Sequence, residues 1–588
     1  MPIRVQSVFL PKTLTVLRGY SARQMGSDLL AGLTVGIVAL PLALAFGIAS
    51  IPESVARDAG ISPPLAGLVT AVVAGLLISL LGGTRVSIGG PTGAFIVIIY
   101  AIAAKHGYDG LVAATVLAGI ALVALGAARL GAMIKYIPYP VTTGFTSGIA
   151  VIIFAGQIKD LFGLTPHGQA DPMPPEFLAR MAWFANHIET VHWSAAAMGV
   201  ACAAAILLWP RAFGRRIPGP IAVLVLATVA THALGLGVET IRDRFGEIPS
   251  GFPAPRMPAL HLEQLPELVG PALTIAMLAA IESLLCAVVA DGMLGTRHRS
   301  NTELIAQGVA NIATPLFGGI PATGAIARTA TNIQAGGRTP VSGMVHALTL
   351  LVIMLAAGRY ASLVPLPALA AVLVVVAWNM SEAPRFIWLL RGPHQDALVL
   401  LATFGLTVFT DLTIAVGVGM VMASLLFMKR MADVTSIGAV TGGSVDIRAN
   451  VPEPNGARAP TAPRDVEIYD INGPFFFGAA YKLRETLDSL GRPPRVLILN
   501  MPNVLAMDAT GLHALEEMRR RCVKDGTHLV IAGVHAQPVH EFAKSGLLDA
   551  FGDENLVGTV EEALARAGEI LETARPPAGP PKHAPIGA

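Results

Sequence analysis

Charge is scarce in this chain: Asp, Glu, Lys and Arg make up 14% of its 588 residues, where soluble domains carry about 25%. Cysteine is scarcer still. Cys202, Cys286 and Cys522 are the only three, and their wide spacing excludes a disulfide framework and a cysteine-based zinc site. Missing as well are an HExxH pair, a Walker-type phosphate loop and a Ser/His/Asp grouping in recognisable context. An enzyme is therefore not expected, nor is a cofactor or metal. The net charge of +2 speaks neither for nor against a polyanion, and no nucleic-acid partner is expected.

What the chain has in abundance is apolar sequence. Hydrophobic residues make up 53% of it, concentrated from about residue 28 to 430. Runs such as 29–49, 111–130, 219–236 and 341–357 approach the roughly 20 residues that cross a bilayer core of about 30 Å. About fourteen such segments can be counted, several short or broken, which places the chain in a lipid bilayer. The first 25 residues hold Arg4, Lys12, Arg18 and Arg23 without a short apolar core and cleavage site, and read as an uncleaved cytoplasmic leader.

The basic loop residues fall into five clusters: Arg129 and Lys135; Arg211, Arg215 and Arg216; Arg297 and Arg299; Arg385 and Arg391; Lys429 and Arg430. They follow the fourth, sixth, eighth, twelfth and fourteenth segments. All share the side of the N-terminus, which the positive-inside rule makes cytoplasmic. The mixed-charge connections at 159–192 and 237–266 then face outward.

Two stretches echo each other across the halves. Gly89-Gly90-Pro91-Thr92-Gly93-Ala94-Phe95 opens the third segment, and Gly318-Gly319-Ile320-Pro321-Ala322-Thr323-Gly324-Ala325-Ile326 opens the tenth. Irregular backbone cannot face lipid, so such breaks are buried or line a cavity. Matched breaks in two halves mark a transporter's substrate site, because the unpaired N–H groups and positive dipole end of each half-helix attract an anion. The alternative is that Gly and Pro only permit tight helix packing.

Glu282 sits in the middle of the apolar run 267–290, with Leu278 and Cys286 one turn to either side. A charged carboxylate there costs about 2.5–3.5 kcal/mol on insertion scales. A carboxyl that passes between neutral and charged forms suits proton coupling; a permanently protonated, structural Glu is the alternative. Arg328, one turn into the tenth segment, can add to the anion-attracting field, pair with a carboxylate or snorkel to the interface. Asp291 and Asp411, at segment ends, read as solvated or capping residues.

The run from Asp28-Leu-Leu-Ala-Gly-Leu-Thr34 through Pro41, the stretch Ile137-Pro-Tyr-Pro-Val-Thr-Thr-Gly-Phe-Thr146, Gly90-Pro-Thr-Gly-Ala94 and Gly319-Ile-Pro-Ala-Thr-Gly324 with Arg328-Thr-Ala330 together resemble the SulP (sulfate permease) family over about residues 20–560. The resemblance implies an all-α polytopic membrane domain of seven-plus-seven inverted repeats, a core and a gate, elevator-type movement and a homodimer. It further implies an anion site between the third and tenth segments. Carried over position by position, that site comprises Phe46, Thr92, Gly93, Ala94, Ala325, Ile326, Ala327 and Arg328. Glu282 matches the acidic position of the eighth segment, which is Asp in sodium-coupled bicarbonate members; Glu implies proton coupling instead. Cys286 replaces the hydroxyl that assists sodium there. Ala280–Met293 and Ala377–Ala383 resemble the bacterial C4-dicarboxylate branch. Many members place Gln after the first-segment Pro, whereas this chain has Pro41-Leu42; the lost polar contact favours a larger, partly apolar anion.

Beyond the apolar region, 466–471, 496–499 and 528–532 read as strands and 478–490 and 511–523 as helices, a small α/β domain. Asp508-Ala-Thr-Gly511 resembles the phosphorylatable turn of a STAS (sulfate transporter and anti-sigma antagonist) domain. Thr510 stands at the acceptor position; capping of the helix by Asp508 or Thr510 is the structural alternative. The expected organisation is a cytoplasmic segment at 1–27, a transport domain at 28–430, a linker at 431–463, a STAS domain at 464–572 and a disordered tail at 573–588. The expected function is proton-coupled uptake of sulfate, bicarbonate or a C4-dicarboxylate across the bacterial inner membrane, with a possible cytoplasmic partner for the STAS domain. A passive anion channel or exchanger and a membrane-tethered signalling module are the alternatives.

Overall fold

The computed structural model describes residues 9–573 apart from 133–137, 168–172, 175, 213–218, 250, 257–262, 264, 411, 440–462, 464 and 489–492. Lys135, Arg215, Arg216, Asp411, most of the expected linker and the tail from 574 lie outside the described residues. The chain divides into two compact units, residues 1–423 and 424–588.

The first unit is helical. Its main helices are α1 (Ala22–Ser50), α2 (Pro63–Leu81), α3 (Gly93–Ala127), α4 (Tyr139–Phe162), α5 (Trp193–Ala212), α6 (Gly219–Leu234), α7 (Leu265–Leu294), α8 (Ser300–Leu316), the short α9 (Ile326–Gln334), α10 (Pro340–Ala361), α11 (Leu366–Met380), α12 (His394–Phe409) and α13 (Leu412–Val434), whose residues after 423 are counted in the second unit. Among the described residues nine helices are long and apolar enough to cross a membrane. Helix α3 breaks at Gly107, whose φ of 68° only glycine adopts freely. Counting its halves separately, α1–α13 make the fourteen segments expected, including the half-helix α9, only nine residues long.

Helices α1, α2, α3 and α7–α10 pack mainly on one another, and α4, α5, α11 and α12 form a second group. Lipid is as apolar as a leucine side chain, so close backbone approach replaces hydrophobic burial as the force between such helices. Small residues at four-residue spacing permit it. Gly32 and Gly36 of α1 face α10, where a Cβ on Gly32 would lie 2.4 Å from the Ser342 carbonyl oxygen. Gly144 and Gly148 of α4 face α12 in the same manner. The tightest crossing joins α1 to α2: a Cβ on Gly67 would sit 1.9 Å from the Ala43 carbonyl oxygen, and one on Gly47 would sit 2.1 Å from that of Pro63. The start of α10 is held by buried Asp28. Its carboxylate accepts from the Arg338 and Thr339 amides at 2.7 and 3.2 Å and from the Thr339 hydroxyl at 2.6 Å.

The second unit carries a five-stranded sheet in the order β3 (Ser436–Ala439), β4 (Val466–Asn472), β5 (Val496–Asn503), β6 (His528–Ala532), β7 (Leu556–Val557). All neighbours are parallel except β3 with β4. Strand periodicity sends alternate residues to opposite faces. Leu497, Leu499 and Ile531 meet α14 (Phe477–Asp488), α15 (Ala509–Asp525), α16 (Ala536–Ser545) and α17 (Leu547–Phe551) through Leu483, Leu515, Phe542 and Phe551. On the other face Ile468, Ile498 and Val530 meet Ala563, Ala567 and Ile570 of α18 (Val560–Thr573). The stretch 431–463, expected as linker, instead begins with the end of α13 and then strand β3. Four residues are too few to show a periodicity; pairing with β4 makes them a strand.

Because two backbones meet at Gly67, Gly67→Val should cost about 3 kcal/mol or more through overpacking. Thermal unfolding of the detergent-solubilised protein should show a lowered midpoint, or the variant should fail to accumulate in the membrane.

Candidate functional site

The two broken segments meet. Gly89–Gly90 (β1) and Thr323–Gly324 (β2) form a two-residue antiparallel ladder, Gly89 opposite Gly324 and Gly90 opposite Thr323. The pairing extends into the flanking residues. The Ala325 amide donates to the Ile88 carbonyl at 2.8 Å, and the Ile88 amide donates to the Thr329 hydroxyl at 2.9 Å. Cys286 donates to that same hydroxyl at 3.1 Å, and the Thr323 hydroxyl donates to the Ala279 carbonyl at 3.0 Å. Helix α7 is thereby bonded to β2 and the first turn of α9.

Two helix N-termini flank this ladder. Helix α3 starts at Gly93 after Thr92, and α9 starts at Ile326 after Ala325; neither preceding side chain caps its own first turn. Thr92 instead turns its hydroxyl to Glu282, donating to Oε2 at 3.0 Å. Arg328 is buried and donates from Nη2 to the Pro91 carbonyl, between β1 and α3. Its guanidinium thus ties the tenth segment to the break in the third. The other terminal nitrogen, Nη1, has no hydrogen-bond partner among the described residues. A Cβ on Gly90 would lie 2.8 Å from it. The wall beside Gly93 is apolar: Met380 Sδ, Ile153 Cδ1 and Phe46 Cε1 lie 2.9, 3.2 and 3.5 Å from where its Cβ would be.

Phe46, Thr92, Gly93, Glu282, Ala325 and Arg328 are therefore gathered around one ladder. Ala94 is fully buried in the first turn of α3, whereas Ile326 and Ala327 are exposed on α9. Leu42 is half-buried against the apolar core. The contacts missed from sequence are the Thr92–Glu282 bond, the Pro91 carbonyl under Arg328, and Ile153 and Met380 beside Gly93. None has a local sequence signal, since each joins segments far apart in the chain. Asp291 accepts from the Thr296 hydroxyl and the His298 amide at 2.8 and 2.7 Å, closing the turn after α7. Asp508 caps α15, its Oδ1 accepting from the Gly511 amide at 2.8 Å, while Thr510 is exposed in the first turn.

The model of the sulfate permease family matches residues 25–403, and that of the STAS domain matches residues 458–563. YvdB of Bacillus subtilis (strain 168), provisionally named a sulfate transporter, is 39% identical over 92% of this chain and 97% of its own length. The bicarbonate transporter BicA of Picosynechococcus sp. (strain ATCC 27264 / PCC 7002 / PR-6) is 31% identical over 93% of this chain and 95% of its own. Among solved structures, the transmembrane domain of a cyanobacterial BicA covers 69% of this chain and 98% of its own at 31% identity and a TM-score of 0.59. SLC26A9 covers 97% and 94% at 20% identity and a TM-score of 0.79, a likeness of fold.

Gly90 has a φ of 149° and no room for a side chain beside Arg328. Gly90→Ala should therefore destabilise by about 1–3 kcal/mol. Gly270→Ala on α7, where nothing lies within 4 Å of the new methyl, should leave the melting temperature unchanged or raise it. Asp508→Ala should cost about 1 kcal/mol as a lost cap, read as a lower unfolding midpoint of the STAS domain in the full-length protein.

Proposed function

The chain belongs to the sulfate permease family, and from that premise we propose that it is a secondary active anion transporter whose substrate sits between the N-termini of α3 and α9. The observation that carries the reading is the ladder itself. It turns two helix starts without side-chain caps toward one short ladder, with the Arg328 guanidinium seated on the Pro91 carbonyl between β1 and α3, and their positive dipole ends favour an anion there. The anion is sulfate, bicarbonate or a C4-dicarboxylate. Phe46, Ile153 and Met380 beside Gly93, together with Leu42 on α1, favour an anion with an apolar body over a compact one.

Glu282 is the proton-coupling group in this proposal. Its contact with Thr92, the residue that precedes α3, links its protonation to the geometry of the anion site. Proton and anion bind from outside, and α1–α3 with α7–α10 then move as a core against the second helix group. The homologies and the basic loops support a plasma-membrane protein with its N-terminus and STAS domain in the cytoplasm. A homodimer and a cytoplasmic partner for the STAS domain, with Asp508 and Thr510 as its regulatory turn, belong to the same proposal.

The test is uptake of succinate, sulfate and bicarbonate, side by side, into proteoliposomes containing the full chain under an imposed proton gradient. One of the three should accumulate, and collapsing the gradient should stop it. Glu282→Gln should abolish concentrative uptake while downhill exchange persists. Undiminished accumulation in that variant would sink the coupling role. Passive current without proton dependence would identify a channel, and phosphorylation at Thr510 without any flux would identify a signalling module.

A further inference from the structure

Behind the ladder, on the side of α2, two buried polar side chains are left with bonding capacity unused. Arg328 is 3% exposed and its Nη1 is unpartnered among the described residues. His346, in the middle of α10, is 0% exposed, and both of its ring nitrogens are unpartnered among the described residues. The two lie against neighbouring turns of one helix. Arg328 Nη1 and Ala71 of α2 both adjoin Gly90, at 2.8 and 3.4 Å from the position of its Cβ. One turn further along α2, Gly75 has the His346 ring and the Gly89 carbonyl oxygen 3.4 and 3.3 Å from its own Cβ position. Arg328 therefore adjoins Gly90 of β1, and His346 adjoins the turn of α2 that touches Gly89 of the same strand.

Their chemistry is complementary. Guanidinium nitrogens only donate, while a neutral imidazole offers one acceptor and one donor. Buried polar groups are nearly always bonded, to protein or to ordered water. An apolar interior leaves the spare Arg328 N–H few acceptors, since the Pro91 carbonyl is already engaged by Nη2. Glu282, on α7, is bonded to Thr92 and forms no ion pair with Arg328 within 4.0 Å among the described residues.

We propose that His346 is a positioning residue for Arg328: an imidazole nitrogen accepts from Nη1 through one buried water and holds the guanidinium behind the helix starts. Anchored at Pro91 by Nη2 and at His346 by Nη1, the side chain contributes its charge to the anion site from a set distance. Without the second anchor it can swing about the Pro91 contact, and the field at the anion weakens. The inference rests on the anion site proposed above, and deepens it by adding a residue that touches no anion.

The experiment measures initial rates of sulfate, bicarbonate and succinate uptake by the full-length protein in proteoliposomes, separating KM from maximal rate. His346→Leu removes the acceptor at similar bulk, and His346→Gln restores one through its amide oxygen. The expected result for the transported anion is a KM raised about tenfold, the worth of one hydrogen bond to a charged group, with a smaller change in maximal rate. His346→Gln should recover most of that loss. In an Arg328→Gln background, His346→Leu should add nothing to KM. If His346→Leu does not insert, His346→Phe supplies the same comparison. A merely packing role for His346 predicts equal loss in the Leu and Gln variants, or effects that add in the double variant, and either outcome overturns the proposal. Impairment by Arg328→Gln with normal KM in His346→Leu overturns this inference alone. Unchanged KM in Arg328→Gln overturns the site reading and this inference with it.

Discussion

Backbone amides and carbonyls inside a bilayer have no water to bond to, so a helix that stops halfway across must find partners for the chain that continues it. Here the solution is mutual. The chain entering one broken segment pairs with the chain entering the other, through Gly89–Gly90 and Thr323–Gly324, and the ladder satisfies groups that lipid would leave bare. Because the strands are antiparallel and each leads straight into a helix, the two helices leave this short ladder at opposite ends, each with its N-terminus turned toward it. The meeting of the two helix starts is in this sense a by-product of backbone accounting. Two half-helices made safe by one ladder necessarily place two positive ends together.

Everything around the ladder serves to hold it. Helix α7 bonds to it through Thr323, Thr329 and Cys286, and Arg328 clamps the strand of one half to the helix of the other. Glycines that bring α1 onto α2 and α10 let those helices close around it without bulky side chains intervening. The same economy makes the arrangement brittle: a methyl group at Gly67 would run into the Ala43 backbone, and one at Gly90 would displace the Arg328 guanidinium. It also concentrates functional groups. Thr92, Glu282, Arg328 and, behind them, His346 come from four distant parts of the chain that packing around the ladder brings together.

The soluble unit follows a different logic. Its strands alternate apolar residues between two faces, each covered by helices, and its core is an ordinary hydrophobic one. Helix α15 begins with Asp508 as its cap, leaving Thr510 exposed beside it.

Much of this was legible in the residues themselves. Low charge and long apolar runs determined a membrane domain, because burial in lipid is a matter of composition averaged over some twenty residues. The fourteen segments, the two breaks at 89–95 and 318–326, and the alternation of strands and helices after 463 were all local patterns, and local patterns survive without a structure. The resemblance of short motifs supplied the family. Not legible were the Thr92–Glu282 bond, the seat of Arg328 on the Pro91 carbonyl, the apolar wall of Ile153 and Met380, the strand at 436–439 and the place of His346. Each depends on which distant segments become neighbours, and a hydrogen bond across 190 or 237 positions leaves no periodicity along the chain. Sequence alone determined that there are two broken helices in a membrane; tertiary structure decided that they face each other, since only packing brings two isolated dipole ends together.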